Sequence, residues 1–271
     1  MTLIAKPDNR TPANVEDSWQ RLEHWLANAA PEILASLRPG CTDAQLGEFE
    51  EQVQLSLPED VKNSFRIHDG QEEYTAAGAI VGEPLDSLAN VCSGLAAYRQ
   101  LYEDEQQSDH DSGLADRATS FPPGAIQCEY VTPNWIPLGD WDGNCYGIDL
   151  NPGPNGVMGQ VINFGRDEDD KYVLALSWAH FLEDVVEELE AGNLSIKRTA
   201  EGEVEHFGRA GRFDQALFSL YKERSEAKLP ASFKSAQPVT PEKIIPGEVA
   251  QGDIDAQVRT LGEQFVQAMH A

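Results

Sequence analysis

The most informative stretch of the 271-residue sequence is residues 136–153, which read IPLGDWDGNCYGIDLNPG. Short runs of apolar, β-branched and aromatic residues alternate here with Gly, Asn, Asp and Pro, a pattern typical of short strands joined by tight turns. Three carboxylates, Asp140, Asp142 and Asp149, lie among the turn residues. They suggest three hypotheses: a metal loop, an acid/base pair, or turns that only shape the chain.

The spacing of these residues argues against a calcium loop. Asp140, Asp142 and Asn144 fit the first, third and fifth positions of such a loop. Cys145 then occupies the position that needs Gly, and Asn151 stands where a bidentate Glu is required. Turn chemistry explains the pattern better, because Asp side chains bond nearby backbone groups and Gly tolerates positive φ. We therefore expect no bound metal.

Further strands are predicted on both sides of this stretch. Each run is short and bounded by Gly, Pro, Asn or Asp, as expected for consecutive strands of an antiparallel sheet. The runs are AIQCEYV (125–131), WIPLGD (135–140), CYGIDLN (145–151), GQVINFG (159–165) and YVLALS (172–177).

Helices are predicted before and after these strands. Thr42 and Gln45 can form a capping box, and Ser177 is a good N-cap residue for the last helix. Helical spacing of apolar residues or such caps predict helices at 15–29, from Thr42 through Val53, from Pro58 to His68-Asp69-Gly70, at 86–103, and from Ser177 to Gly192. The polar, acidic residues 103–124 are predicted to be a mobile loop. Helices that flank an antiparallel sheet indicate the α+β class, with helices packed on a largely antiparallel central sheet.

Charge restricts the classes of partner. The sequence has 46 acidic and 20 basic residues, a net charge of -26, and residues 1–200 hold 35 of the acids but only 12 of the bases. Such a surface repels nucleic acid and anionic membranes, and it attracts a basic protein. We therefore expect a protein partner, with no nucleic acid and no membrane.

Motifs for catalysis or cofactors are missing from the sequence. The four cysteines lie far apart without a Cys-x-x-Cys pair, and the six histidines are scattered singly. No Gly-x-Ser-x-Gly, His-Glu-x-x-His or phosphate-binding loop occurs. No run approaches the roughly 18 apolar residues that span a bilayer, and no signal-peptide segment is visible. We expect a cytoplasmic protein that is not an enzyme and needs no cofactor.

The order of several motifs resembles the SUKH superfamily, and more narrowly the domain of the yeast cell-wall assembly regulator of the Smi/Knr type. The motifs are Trp19, Cys41-Thr42, LPEDVKNSFRIHDG (57–70), WIPLGDWDGNCYGIDLNPGPNGVMGQVI (135–162) and SWAHFLEDVVEELEAGN (177–193). The resemblance covers residues 15–192, which we take as a SUKH-like domain. It implies an α+β fold and a binding module rather than an enzyme.

The same resemblance offers two functions. Bacterial members of the superfamily are typically immunity proteins that neutralise toxins, often nucleases, by direct binding, and fungal members act as cell-wall and signalling hubs. The acidic surface favours the first reading, because it would complement a basic nuclease toxin. We expect an immunity protein and keep a regulatory scaffold as the alternative.

The expected partner site lies at the tip of the predicted hairpin. Asp140, Trp141 and Asp142 place an aromatic side chain between two carboxylates, which suits a charged rim around an anchor. Asp69, at the end of the LPED helix, is expected to join them if that helix ends nearby. The competing interpretation is that Trp141 is a core residue and the aspartates only hold the turn.

Residues 193–271 are predicted to form a C-terminal extension. It begins with a hairpin that turns at Glu201-Gly202, or a helix, and continues with an amphipathic segment at 211–227. A Pro-rich strap at 229–247 and a terminal helix follow. The terminal helix is expected to pack on its own domain or on a second copy, which would make a homodimer.

Overall fold

The computed structural model describes residues 11–12, 14–72, 77–80, 82–107, 118–141, 143–202 and 204–208. The chain divides into two compact units, Met1–Val239 and Thr240–Ala271, and all described residues belong to the first. The amphipathic segment, the Pro-rich strap, the terminal helix and the homodimer that this helix would form lie outside the described residues and stay predictions.

The helices begin where the sequence supplies caps. Asn14 accepts from the Glu16 amide, Thr42 and Gln45 make the expected capping box, and Ser177 accepts from the His180 amide. The described helices are α1 (Val15–Ala29), α2 (Pro31–Ser36), α3 (Asp43–Val53), α4 (Glu59–Ile67), α5 (Leu88–Gln107) and α6 (Trp178–Glu190). The short α2 is not predicted from the sequence, because six residues are too few to show a helical period.

The main sheet has five strands in the order β1-β5-β4-β3-β2. The strands are β1 (Thr119–Phe121), β2 (Trp135–Trp141), β3 (Asn144–Asp149), β4 (Gln160–Gly165) and β5 (Asp170–Ala175). Strands β2 to β5 pair antiparallel in chain order, whereas β1 runs parallel to β5. The α+β prediction, with helices on a mostly antiparallel sheet, is confirmed.

Two local predictions are wrong. Residues 125–131 form turns instead of a strand, because the Ala125 carbonyl accepts from Gly153 N in a neighbouring loop and not from a strand partner. The loop predicted at 103–124 is wrong at both ends, and its middle, residues 108–117, lies outside the described residues. Helix α5 extends to Gln107, and β1 lies within the second half of that stretch.

The sheet separates two hydrophobic cores, so that all six residues of β4 are buried. On one face, Trp19 of α1, Tyr146 of β3 and Phe181 of α6 belong to the larger core. On the other face, Trp135 and Phe164 pack with residues of α5 and of the turns at 125–131. The sheet is therefore covered on both faces.

A second, two-stranded sheet follows α6. It pairs β6 (Ser195–Arg198) with β7 (Val204–Gly208) and turns at Gly202, whose φ of 89° suits glycine. Val204 is buried in the larger core, and the Arg198 guanidinium donates to the Glu32 carboxylate and to Ala29 O. The hairpin predicted at the start of the extension therefore exists and packs on α1 and α2. The boundary at 192/193 stays a prediction.

Candidate functional site

The tip of the β2–β3 hairpin is closed by Asp140. Its Oδ1 accepts a hydrogen bond from Gly143 N at 2.7 Å, and Gly143 has a φ of 85°. Trp141 is the last residue of β2 and pairs with Asn144, but only its backbone is described. Asp142 lies outside the described residues. Asp140 thus holds the turn, as the competing interpretation of the sequence expects, and its half-buried carboxylate also stays partly open to solvent.

The β4–β5 turn, residues 166–169, lies directly beside this tip. Arg166 N donates to Gly143 O at 2.8 Å. Asp167 N donates to Asn144 Oδ1 at 2.9 Å, and Asn144 Nδ2 donates to Asp167 Oδ2 at 3.2 Å. These bonds join two acidic turns at one end of the sheet.

Helix α5 covers the same end of the sheet with aromatic residues. Tyr98 Oη donates to Gly143 O at 3.3 Å and lies 3.0 Å from Cys145 Sγ. Burial, followed by the nearby carboxylates of Asp167 and Glu105, raises the pKa of the Tyr130 phenol above its usual value. We call this region the hairpin-end surface: residues 140–141, 143–144 and 166–169, Tyr130, and the last turns of α5 from Leu101 to Gln107. Tyr98 is buried and connects α5 to the hairpin tip.

The last turns of α5 have an unusual charge distribution. They carry Glu103, Asp104 and Glu105 and no basic residue, although the negative end of a helix dipole favours cations. Leu101 is 46% exposed in the same segment. A cationic group bound here would therefore relieve an electrostatic cost and would find an apolar contact beside it.

Asp69 lies elsewhere. Its Oδ1 accepts from Leu88 N at 2.8 Å and so caps the first turn of α5. Tyr98, which reaches the hairpin tip, is ten residues further along this helix, a rise of about 15 Å. Burial and the neighbouring Asp69 carboxylate raise the pKa of the Cys41 thiol to about 12. The structure thus gives Asp69 a role in starting α5 and does not bring it together with Asp140.

Asp149 is also separated from the hairpin tip. It is fully buried at the other end of β3, where its carboxylate accepts from the Trp135 indole, the Asn151 amide and the Gln160 side chain. Burial raises the pKa of Asp149 to about 6 against the lowering effect of these three bonds. The carboxylates that are close in the sequence therefore do not share one site.

A second raised carboxyl lies beside β2. Burial and the charge of Glu168 raise the pKa of Glu83 to about 7. Such a group can exchange a proton near neutral pH. No cluster of three or more His, Cys, Asp or Glu residues able to hold a metal ion occurs in the described parts of the chain. Among the described helices, none combines the length and apolar character needed to cross a membrane.

Sequence reasoning did not identify Tyr130 and Asp167 as part of this surface. The one available signal was the charged run Arg166-Asp167-Glu168-Asp169 between two predicted strands, which indicates an exposed turn. Its position beside the hairpin depends on the pairing of β3 with β4, in which Asn144 lies opposite Gly165. No local pattern encodes that register.

The chain is similar to known proteins over most of its length. Residues 40–184 match the family described as SMI1/KNR4 (SUKH-1). The chain belongs to this family. Membership confirms the resemblance that the motifs indicate, and it places the hairpin-end surface, from β2 to the β4–β5 turn, within the matched region.

Three fungal relatives of the SMI1/KNR4 chain are each 34% identical to it. They are the "Cell wall biosynthesis/cell cycle regulator smi1" of Schizosaccharomyces pombe (249 residues, 90% of this chain and 49% of the relative), the "Glucan synthesis regulatory protein" of Neurospora crassa (246 residues, 79% and 46%) and the "Cell wall assembly regulator SMI1" of Saccharomyces cerevisiae (204 residues, 65% and 40%). The chain thus spans half or less of the length of these relatives.

These relatives correct the expected function. The prediction of a bacterial immunity protein that neutralises a toxin is wrong, because the relatives are described as fungal regulators of the cell wall or of glucan synthesis. They are described as regulators and not as enzymes. The acidic surface was a poor guide, since any basic partner would be attracted by it.

Proposed function

We propose that this SMI1/KNR4 chain is a regulatory module of cell-wall assembly that binds protein partners and catalyses no reaction itself. The observation that carries this proposal is the regulatory description shared by three relatives at 34% identity. Nucleic acid and anionic membranes are not its partners in this proposal, because a net charge of -26 repels both. A cytoplasmic location stays a prediction.

We propose the hairpin-end surface as the place where a partner binds. Three features support it: the partly open carboxylate of Asp140, the exposed Asp167, and the acidic end of α5 with Leu101. A basic segment of a partner would meet complementary charge there, with a phenol and an apolar side chain nearby. Asp69 does not belong to this surface, and a contact of a partner with Trp141 and Asp142 stays a prediction.

A chimera tests the regulatory function. The matching region of the S. pombe regulator is replaced by this chain, so that the remaining half of the relative is retained. Cells that lack the native regulator should recover their wall glucan content and their resistance to wall-digesting enzymes when they express the chimera. A chimera that accumulates and folds but restores neither property would contradict the proposal.

Charge reversal in the same chimera tests the surface. Asp167→Lys should reduce the recovery, whereas Glu48→Lys should not, because Glu48 is equally acidic and exposed but lies on α3. Thermal melting of both variants controls for folding. Equal recovery by both would place the interface elsewhere.

A third variant tests the absence of catalysis. Glu83→Gln removes the carboxyl whose raised pKa best suits proton transfer near neutral pH. The proposal expects full recovery of the wall phenotype with this variant, whereas loss of recovery in a folded chimera would indicate that the carboxyl acts chemically.

A further inference from the structure

The His68-Asp69-Gly70 segment ends α4 and is not used by the proposed partner surface. His68 is the C-cap of α4, and its backbone N–H donates to Ser64 O at 3.0 Å. Its side chain is only 15% exposed. A polar ring that is largely removed from water needs hydrogen-bond partners, and the chemistry of those partners decides which ring nitrogens carry a proton.

Both ring nitrogens of His68 face oxygen atoms. Nδ1 lies 2.9 Å from the backbone oxygen of Arg38, in the α2–α3 segment (residues 37–42), and Nε2 lies 2.8 Å from Oε1 of Glu23 on α1. A backbone carbonyl and a carboxylate can only accept hydrogen bonds. Each nitrogen must therefore donate, and only the imidazolium has a proton on both nitrogens. A neutral ring would direct a lone pair at one of the two oxygens.

The surroundings of the ring also favour a positive charge. The centroid of the Trp19 ring lies 4.8 Å away in an edge-to-face arrangement, a distance at which an aromatic ring attracts a cation. The carboxylates beside the ring are those of Glu23 and of Asp69, the next residue in the chain. The α2–α3 segment contributes the Arg38 guanidinium, which lies 3.8 Å from Asp69 Oδ2, and the buried Cys41 thiol.

The basic group of the last turn of α4 does not offset these carboxylates. Arg66 binds the carboxylates of Asp43 and Glu59. Two carboxylates and one guanidinium therefore remain on the elements that hold the ring, and this balance favours the imidazolium.

The segment that carries the ring also positions the start of α5. Asp69 N donates to Pro39 O at 3.2 Å, and Arg38 N donates to Gly70 O at 3.0 Å. Asp69 Oδ1 accepts from Leu88 N, at the first residue of α5. The ring thus connects α1 to a stretch of backbone whose next residue holds the first turn of α5.

We propose that His68 is a pH-sensitive staple: as an imidazolium it holds α1 against the α2–α3 segment, and loss of one proton releases one of the two contacts. A bare ring nitrogen and an oxygen at hydrogen-bond distance repel each other, so the ring or its partner must move away. This release loosens the backbone pairing of residues 38–39 with residues 69–70. The staple does not depend on the proposed partner surface, because none of its contacts lies there.

The direction of the effect follows from proton linkage. The stapled arrangement needs a proton on both nitrogens, whereas a neutral ring carries one proton fewer. The staple is therefore complete at low pH and is lost as the pH rises and the ring becomes neutral. Because both protons are held by donated hydrogen bonds, His68 should lose its second proton at a higher pH than a histidine that is exposed to water.

Nitrogen NMR of the histidine rings in the full chain tests the staple. His24, which is exposed on α1, is the reference, and the pH is varied from about 5 to about 8. At the pH at which the His24 ring has become neutral, His68 should still show a bound proton on both Nδ1 and Nε2. A His68 ring that has a bare nitrogen at every pH at which His24 has one would overturn the proposal.

A variant of Glu23 tests the contact itself. Glu23→Gln replaces the carboxylate by an amide, which can donate to a bare Nε2 and so accommodates a neutral ring. His68 should then become neutral together with His24. The matched control is Asp17→Asn, which removes the same charge from an exposed position on α1 and should leave His68 unchanged. Equal effects of both variants would refute the staple, because the charge of the helix and not the contact would then retain the proton.

Hydrogen exchange of the unaltered chain measures the release. The reporters are the amides of Arg38 and Asp69, and the control is the amide of Arg166, which donates to Gly143 O in another part of the fold. After correction for intrinsic exchange, protection of the reporters relative to Arg166 should fall by about tenfold as His68 loses its proton, because a hydrogen bond to a charged group is lost. Reporters that keep their protection relative to Arg166 while the His68 ring becomes neutral would contradict the release.

Discussion

Asp140 offers a direct test of whether its carboxylate holds the hairpin turn, contributes to partner binding, or does both. Asp140→Ala removes the acceptor of the 2.7 Å hydrogen bond from Gly143 N. Asp140→Asn keeps an oxygen acceptor in the same place and removes only the negative charge. The two variants therefore separate the hydrogen bond from the charge.

The expected loss of stability follows from this one bond. A hydrogen bond to a charged acceptor contributes about 1.5 kcal/mol or somewhat more, and because Gly143 is half-buried, its free amide can partly turn to water. We expect Asp140→Ala to lower the free energy of unfolding by about 1 to 1.5 kcal/mol. For a domain of this size that corresponds to about 3 to 5 °C in Tm. Asp140→Asn should stay within about 0.5 kcal/mol of the original chain.

Binding should be weakened by both variants alike, because both remove the negative charge. One unit charge about 8 Å from a partner charge in water contributes about 0.5 kcal/mol, which is about a twofold change in affinity at low salt. Asp140→Asn should therefore weaken binding of an oligolysine peptide about twofold, and added salt should remove the difference. Glu48→Gln, on α3, removes the same charge elsewhere and should have a smaller effect.

Urea unfolding, thermal melting and peptide titration measure these quantities. If Asp140→Asn destabilises the chain as much as Asp140→Ala, the oxygen acceptor is not what closes the turn. If Asp140→Asn and Glu48→Gln weaken peptide binding equally, the attraction is a property of the whole acidic surface and not of the hairpin end.

Two further predictions concern the sheet and the buried carboxyls. Gly147→Ala should lower the free energy of unfolding by about 3 kcal/mol or more, or prevent folding, because a Cβ would lie 2.0 Å from Ile136 O. Gly47→Ala, on the open side of α3, should instead raise the free energy of unfolding by about 0.5 to 1 kcal/mol. Urea unfolding compares the two variants. The free energy of unfolding should decrease as the pH rises from about 5 to about 8, by about 1.4 kcal/mol from Asp149 alone, because the raised pKa values of Asp149 and Glu83 make the folded chain bind more protons than the unfolded chain in that range. Stability that rises over this range would contradict the assignment.

Local chemistry accounts for the elements that the sequence predicted well. Helix α3 begins at a capping box that involves only Thr42 and Gln45, and α1 shows its buried stripe over four turns. These signals act between residues a few positions apart, so a pattern can reveal them. The hairpin tip is similar, since Asp140 and Gly143 meet within one turn.

The missed elements depend on distant partners. Strand β1 has three residues and exists because it pairs with β5, some fifty positions away. Residues 125–131 have the composition of a strand, but the Ala125 carbonyl accepts from Gly153 N in the loop at 151–157, and Ile126 N donates to the Ser120 hydroxyl. Composition indicates that such a segment is buried, and it does not indicate which hydrogen-bond partner it finds.

The same limit applies to the carboxylates of residues 136–153. Their spacing argued against a calcium loop, but it could not show that Asp140 would be half-buried near the end of β2, and that Asp149 would be fully buried at the far end of β3. This separation gives the two groups different electrostatic environments: Asp140 stays partly solvated near other acids, and Asp149 is fully buried with no basic partner among the described residues. Their environments, set by the pairing of β2, β3 and β4, decide their chemistry.

The error about function has a physical cause as well. A net charge of -26 attracts a basic partner from a distance. An immunity protein and a regulator can both use this attraction, and both can have an α+β fold, so neither property distinguishes them. Long-range attraction changes association rates with many partners, whereas the identity of the partner is set by short-range contacts at a few side chains. On the proposed partner surface the candidates for such contacts are Asp140, Tyr130, Leu101 and Asp167. Leu101→Asn keeps the charge of the chain but alters the shape of this surface. We therefore expect it to change the choice of partner more than it changes the affinity for oligolysine. Comparing partner binding with oligolysine binding would separate specificity from long-range attraction.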